Sequence, residues 1–309
     1  MKTKVWIALL AVYIVWGSTY LAIRFAVETI PPFLMAGTRF LISGLILYIW
    51  RRLAGDPAPT LKQWRSAAIV GLLLLLGGNG LVSWAEQHVA SGIAALMVGS
   101  VPLLIVLIDF ILPNAFKPDW KIILGLLVGF GGIVVLVTST PGTSNSTEMS
   151  LYGVGVLLLA SLLWSIGSIY GRDADMPKST LLGTGIEMLG GAIGLFLAAT
   201  FTREWSALSF SAITTRSLMG LLYLIVFGSL IGFVAYGWLL RNAPISLVST
   251  YAYVNPVVAI FLGAWLGSEL INARIIVAAL IIIGSVVVIN MSKQTGLLHE
   301  KETVARVAD

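Results

Sequence analysis

The sequence contains no cysteine, which excludes disulfide frameworks and thiolate chemistry. Charge is scarce too: Asp, Glu, Lys and Arg make up 11% of the 309 residues, against about 25% in ordinary soluble domains. Histidine occurs twice, and only His88 falls near an apolar run. No G-x-S-G serine motif and no G-x-G-D aspartate motif is present. An intramembrane hydrolase needs such a nucleophile, base or carboxylate pair, so an enzyme is the disfavoured class. No motif calls for a metal or a cofactor.

What the chain has is hydrocarbon. Hydrophobic residues make up 58% of it, a membrane-protein composition whose first partner is the lipid bilayer. A helix needs about 20 residues to cross a 30 Å hydrocarbon core. Apolar runs of suitable length lie near 5–27, 33–50, 66–86, 91–112, 121–138, 151–171, 180–201, 215–238, 246–267 and 273–291. The first follows Lys2 and Lys4 as a signal peptide would, but it is too long and lacks a small-residue cleavage site, so it reads as a retained span. The formal charge of +5 reflects topology and not a nucleic-acid partner. With the N-terminus inside, fourteen Lys and Arg residues lie in cytoplasmic segments and three (Arg203, Arg216 and Arg274) outside. The positive-inside rule therefore places both termini in the cytoplasm.

The ten spans divide into two similar fives. "LAVYIVWGSTYLAIRFA" in the first answers "LLLASLLWSIGSIYGRDA" in the sixth, aligning Trp16 with Trp164. "GTRFLISGLIL" answers "GIEMLGGAIGL", aligning Arg39 with Glu187. A slightly different offset pairs Trp84 with Trp238 and Pro102 with Pro256, and "GGIVVLVTS" answers "IGSVVVINM". Five helices per copy is an odd number, so the second copy enters the membrane inverted. The expected fold is all-α: ten transmembrane helices as inverted five-helix repeats, 1–145 and 146–292, with a cytoplasmic tail at 293–309. That architecture is typical of secondary transporters, whose small-molecule site lies near the midplane between the repeats.

Polar groups inside such spans mark the candidate site. Arg39 and Glu187 lie well within theirs, where a charge costs roughly 2.5–3.5 kcal/mol on insertion scales. Arg39 is a candidate anchor for a substrate carboxylate, and Glu187 a candidate coupling site for protons or another cation; the alternative is that each ties neighbouring helices together. Trp16 and Trp164 are candidate walls of an aromatic cavity, or ordinary packing. Asn79, among glycines in "LLGGNGL", is a further cavity candidate, and Glu86 is a candidate gate near a span end. The segment "TYAYVNPVVA" places Tyr251, Tyr253 and Asn255 beside Pro256 inside an apolar run. These three are candidates for substrate contact, unless Asn255 merely caps carbonyls freed by the proline. Pro102 and Pro256 hold equivalent positions in the two halves, where kinks can serve alternating access.

The motifs "YIVWGSTYLAIRFAVETIPPFLMAGTRF", "GNGLVSWAEQHVASGIAAL", "IYGRDADMP", "GIEMLGGA" and "RNAPISLVSTYAYVNPVVA" resemble the EamA family of the drug/metabolite transporter superfamily, over about residues 5 to 292. The resemblance implies a ten-helix basket with a central cavity in a bacterial inner membrane. It also implies export of small metabolites, amino acids or amphipathic drugs by a monomer carrying both halves. It names neither substrate nor coupling ion, and a facilitator or channel-like permease stays open beside a proton-coupled exporter.

Overall fold

A computed structural model describes residues 2–111, 120–137, 151–243, 245–248 and 250–308. The linker "STPGTSNSTEMS" and the side chain of Asp109 lie outside the described residues. Everything regular among the described residues is helical. The helices are α1 (Lys2–Ala26), α2 (Pro32–Leu53), α3 (Leu61–Ala85), α4 (Ser91–Val98), α5 (Val101–Ile111), α6 (Trp120–Val137), α7 (Leu151–Asp173), α8 (Thr180–Phe201), the short α9 (Glu204–Ala207), α10 (Thr215 to Asn242), α11 (Ile245–Val248), α12 (Tyr251–Leu266) and α13 (Ala273–Ala308). Seven segments are long and apolar enough to cross a membrane, and Trp120–Leu136, Tyr251–Leu266 and Ala273–Ile289 are shorter apolar helices.

Local chemistry sets several boundaries. α3 begins five residues before its apolar run because Thr60 and Gln63 form a reciprocal capping box. Pro32 opens α2 at a position where its missing N–H costs nothing. α12 starts at Tyr251, later than its apolar run, because Ile245–Val248 forms a separate turn of helix. α13 continues past residue 291 into the predicted tail, where polar but helix-favouring residues prolong it.

Two irregularities recur at equivalent places. α3 contains a π-helical stretch at Leu72–Gly80, and α10 contains one at Leu224–Ile231. The two near-equivalent prolines act differently. Pro102 is the second residue of α5, after a turn at Gly99 and Ser100 that separates it from α4, whereas Pro256 lies inside α12. A Cβ on Gly99 would meet Pro256 Cγ at 3.0 Å, so the break in one half rests on the proline of the other.

The first helix of each half expected from the sequence packs on the third helix of the other. α1 lies along α10 and α12, and α7 lies along the π stretch of α3 and along α5. α2 packs on α8, and α6 on α13. The α2–α8 and α3–α8 contacts are backbone on backbone. A Cβ on Gly44 would stand 3.0 Å from the Gly185 carbonyl, and one on Gly71 would collide with the Glu187 carbonyl. Small residues permit this approach where no apolar solvent force drives helices together.

Candidate central cavity

The helices enclose a cavity of about 390 Å³, within the range of small-molecule sites. Trp16, Thr19, Tyr20 and Ile23 of α1 line one side, and Asn79 and Val82 of α3 with Trp164 and Ser168 of α7 another. Phe233 and Tyr236 of α10 and Tyr251, Asn255 and Pro256 of α12 close it, with Arg39 of α2 and Pro102 of α5. The structure thus brings Trp16, Arg39, Asn79, Trp164, Tyr251, Asn255 and both prolines to one cavity.

Arg39 is buried, at 4% exposure. Its Nε donates to Ser229 Oγ at 2.9 Å, and its guanidinium lies 4.6 Å from the Phe40 ring. Among the described residues no acidic side chain is within ion-pair distance of it, and no acid lines the cavity. The result is a fixed positive charge in an acid-free pocket, partly solvated by a hydroxyl and a ring.

The neighbouring wall is aromatic, and it meets Arg39 at Gly228, which a guanidinium nitrogen of Arg39 and the Trp16 ring both approach. The Trp16 ring lies 5.3 Å from Phe233, 5.0 Å from Tyr236 and 5.2 Å from Tyr251, and Tyr236 lies 5.7 Å from Tyr251. Edge and tilted contacts dominate, as the ring quadrupole favours. Trp16 Nε1 donates to the Gly228 carbonyl at 3.2 Å, an acceptor in the π stretch of α10. Trp16 also covers Gly232, and Trp164 covers Gly78. Gly78 and Gly232 share the offset that relates Pro102 to Pro256. Each tryptophan therefore occupies space that a glycine of the other half leaves open.

Asn255 sits at the cavity and also bridges two helices. It lines the cavity, and its amide, oriented to donate, reaches the Tyr13 carbonyl at 3.3 Å and the Tyr251 carbonyl at 3.2 Å. It thereby joins α12 to α1 and covers backbone near Pro256. Tyr253 stands apart from the cavity lining, packed against the cluster of Leu103, Val106 and Ile289. Glu187 does not line it either; its turn of α8 lies against Gly71.

Glu86 is fully buried at the end of α3, away from the cavity wall. It belongs to the face that carries the 27–31, 86–90, 202–214 and 267–272 connections, which are tied to one another. Arg24 donates to the carbonyls of Glu86 and Val89. Arg216 pairs with Glu28 at 3.2 Å, and Thr214 N donates to Thr29 Oγ1 at 3.2 Å. Two carboxylates act as clips. Glu204 accepts from Phe33 N (3.2 Å) and Leu34 N (2.9 Å) at the start of α2. Glu269 accepts from Ser91 N (2.7 Å) and Gly92 N (3.1 Å) at the start of α4. Each follows a residue with left-handed backbone, Arg203 (φ 60) and Ser268 (φ 54), a conformation costing non-glycine residues about 1–2 kcal/mol. Carboxylates suit helix N-termini, where amides lack partners and the dipole is positive. From the clipped face the cavity runs the other way, to Ile105, Val106 and Ser168.

Sequence reasoning did not single out Tyr20, Phe233, Tyr236 or Ser229, nor either clip. Phe233 and Tyr236 were discoverable, because they flank the π stretch that answers the "LLGGNGL" segment. A lone acid in an otherwise apolar gap was the only sequence signal for Glu269.

Comparison with known proteins places the fold in context. The model of the EamA-like transporter family matches residues 3–138 and again 151–291. The chain is 39% identical to the "uncharacterized inner membrane transporter YedA" of Escherichia coli strain K12, over 97% of this chain and 94% of that one. It is 27% identical to the "uncharacterized transporter YoaV" of Bacillus subtilis strain 168, over 90% and 94%. It is 26% identical to "protein PagO" of Salmonella typhimurium, over 84% of each. One crystal structure superposes with a TM-score of 0.63 at 21% identity, over 94% of this chain and 98% of its own, a likeness of fold alone.

Proposed function

Because the chain belongs to the EamA-like transporter family, a multi-pass membrane protein related to named transporters, we propose that it is a secondary active carrier of the inner membrane. It exports small amphipathic metabolites that carry an anionic group, amino acids among them, by alternating access through the central cavity. The chain acts as a monomer of ten transmembrane helices, two inverted repeats at 1–145 and 146–292, with both termini cytoplasmic. Several features support this architecture: the family model matches twice, π stretches recur in α3 and α10, and tryptophan and glycine are exchanged between the halves. On the topology read from the basic residues, the clipped face is the outer one.

The observation that carries the substrate class is Arg39, a buried cation that has no acidic partner among the described residues and lies in an aromatic cavity lined by no acid among them. Arg39 receives the carboxylate. Trp16, Tyr236 and Tyr251 hold the apolar body, with Trp164 and Asn79 facing them and Asn255 fixing the geometry of α12. The α4–α5 break on Pro256 supplies the bend. Tyr253 contributes by packing behind the wall. Proton coupling runs through Glu86, which is fully buried, or Glu187, which is partly buried.

The test is counterflow in proteoliposomes with labelled carboxylate solutes and permanently cationic amphiphiles. Saturable exchange of carboxylates, and none of cations, is expected. Non-saturating flux without exchange would make the protein a facilitator or channel-like permease, and preferential exchange of cations would remove Arg39 as anchor.

A further inference from the structure

Four buried side-chain polar atoms lack a hydrogen-bond partner among the described residues: Ser83 Oγ, both carboxyl oxygens of Glu86, and Ser91 Oγ. All belong to the stretch from 83 to 91 at the clipped face. Native proteins rarely leave buried polar atoms unpaired, so such a concentration points to a missing binding partner. Glu269 lies within electrostatic reach of Glu86, and Ser91 Oγ lies in the same contact with Gly263 as the Glu269 carboxylate. The other charged or titratable groups facing Glu86 are Arg24 and Tyr20 of α1. His88 on its own connection and Tyr152 of α7 flank the neighbouring Trp84 ring, at 4.9 and 5.0 Å.

The charges around the fully buried Glu86 do not cancel. Glu86 and the half-buried Glu269 contribute two negative charges and the half-buried Arg24 one positive, leaving one negative in excess. Excess charge on a buried carboxyl is costly. A proton is the smallest cation that removes the excess, and it also supplies the O–H donor that the unpartnered oxygens lack. A larger cation would compete with Arg24, whose guanidinium already occupies the carbonyls of Glu86 and Val89.

We propose that Arg24, Glu86 and Glu269 form a single-proton site built into the Glu269 clip, so that proton occupancy and opening of the outer face are one linked event. The proposal rests on the carrier reading above for its role in transport. With the proton bound the set is neutral, Glu86 stays buried, and Glu269 holds the N-terminus of α4. Without it the excess charge draws water, the clip releases Ser91 and Gly92, and the site exchanges protons with the outer solution. α4 transmits the change inward, because Ala95 and Val98 line the cavity and Gly99 rests on Pro256. Tyr20 gives the second link, lining the cavity within electrostatic reach of Glu86.

The absence of cysteine makes the test direct. Gln87→Cys and Ser211→Cys, both at exposed positions of the clipped face, take spin labels, and their separation is read by double electron–electron resonance in nanodiscs from acid to alkaline pH. The closed population should fall relative to the open one by up to about tenfold per pH unit, the limit for one linked proton. Glu86→Gln should abolish this dependence, since Arg24 and Glu269 then cancel without a proton. Glu269→Gln should abolish it by the same arithmetic, and serves if Glu86→Gln does not fold. Titration that persists in a folded Glu86→Gln or Glu269→Gln variant overturns the proposal, as does its loss in Glu187→Gln alone. So does a sodium jump at fixed pH that shifts the distances. The readout needs no substrate: pH-driven opening without any counterflow would sink the carrier reading alone, and counterflow with a pH-independent face would sink the proton site alone.

Discussion

Replacing Arg39 by methionine separates a substrate anchor from a structural strut by the sign of its effect on stability. A charge at this depth costs roughly 2.5–3.5 kcal/mol on insertion scales. Its compensations are one hydrogen bond to Ser229 and the Phe40 ring, together worth about 2–4 kcal/mol by hydrogen-bond and cation–π estimates. The two sides nearly cancel, and methionine fills similar space without needing a partner. Arg39→Met should therefore leave thermal unfolding in detergent unchanged or raise its midpoint. If Arg39 instead closed a buried ion pair, truncation would cost about 3–5 kcal/mol by orphaning the partner charge. Binding should move the other way. Losing a charge-assisted contact worth about 1.5–3 kcal/mol weakens carboxylate affinity roughly 10- to 150-fold in counterflow competition. Arg39→Lys keeps the charge but loses the planar fork, and should fall between. A destabilised Arg39→Met with normal affinity would refute the reasoning at both points.

Glycine substitutions test the helix seam. Gly71→Ala drives a methyl into the Glu187 carbonyl and should destabilise by about 1–3 kcal/mol, whereas Gly155→Ala meets nothing within 4 Å and should gain up to about 1 kcal/mol of helix propensity; equal unfolding midpoints would contradict the packing described. Asn255→Ala removes the amide that joins Tyr13 and Tyr251 and should cost about 1–2 kcal/mol in unfolding, with a smaller loss of affinity than Arg39→Met. Glu204 is buried, and burial raises its carboxyl above the ordinary 4.5 despite the opposing amides of Leu34 and Phe33. A raised carboxyl favours the folded state in acid and loses that contribution as pH rises through the shifted value. The unfolding midpoint of the native protein relative to Glu204→Gln should thus be highest below pH 4.5 and decline above it; the opposite slope would show that the amides outweigh burial.

Most of the helices could be read from the sequence because hydrocarbon thickness imposes a length that apolar runs reveal directly. Their irregularities were harder to see. π stretches at Leu72–Gly80 and Leu224–Ile231 leave no periodic trace in segments that are apolar all round. The central cavity was legible where polarity or aromaticity is anomalous at depth, as with Arg39, Trp16, Asn79 and Asn255. Phe233 and Tyr236 escaped notice because an aromatic residue near a span end also fits the interfacial belt. Tyr253 shows the reverse: the same anomaly marked it, yet a helix turns successive residues by 100°, so Tyr251 and Tyr253 cannot share a face. Glu204 and Glu269 were invisible because a carboxylate clip depends on backbone amides from a distant helix start, which no side-chain motif encodes.

Two of the contacts between residues 2–137 and residues 151–308 differ in what can break them. The seam of α2 and α3 against α8 is backbone on backbone, with a Cβ on Gly190 reaching Ala68 Cα at 2.7 Å and one on Gly191 reaching the Gly71 carbonyl at 2.9 Å. Sliding there would lift main chains over one another, and close packing resists that at every intermediate position. The clips are hydrogen bonds between carboxylates and helix-start amides, which water can replace one for one. In the proposed cycle the clips therefore open while the seam holds. Arg39 belongs to α2, a seam helix, whereas the aromatic wall belongs to α1, α10 and α12. In that cycle the Arg39–Ser229 hydrogen bond between α2 and α10 breaks, and the anionic end of a substrate stays with the seam while its apolar body is released as the aromatic wall moves. That order places the discrimination between substrates in the rings and leaves Arg39 to set the class of headgroup.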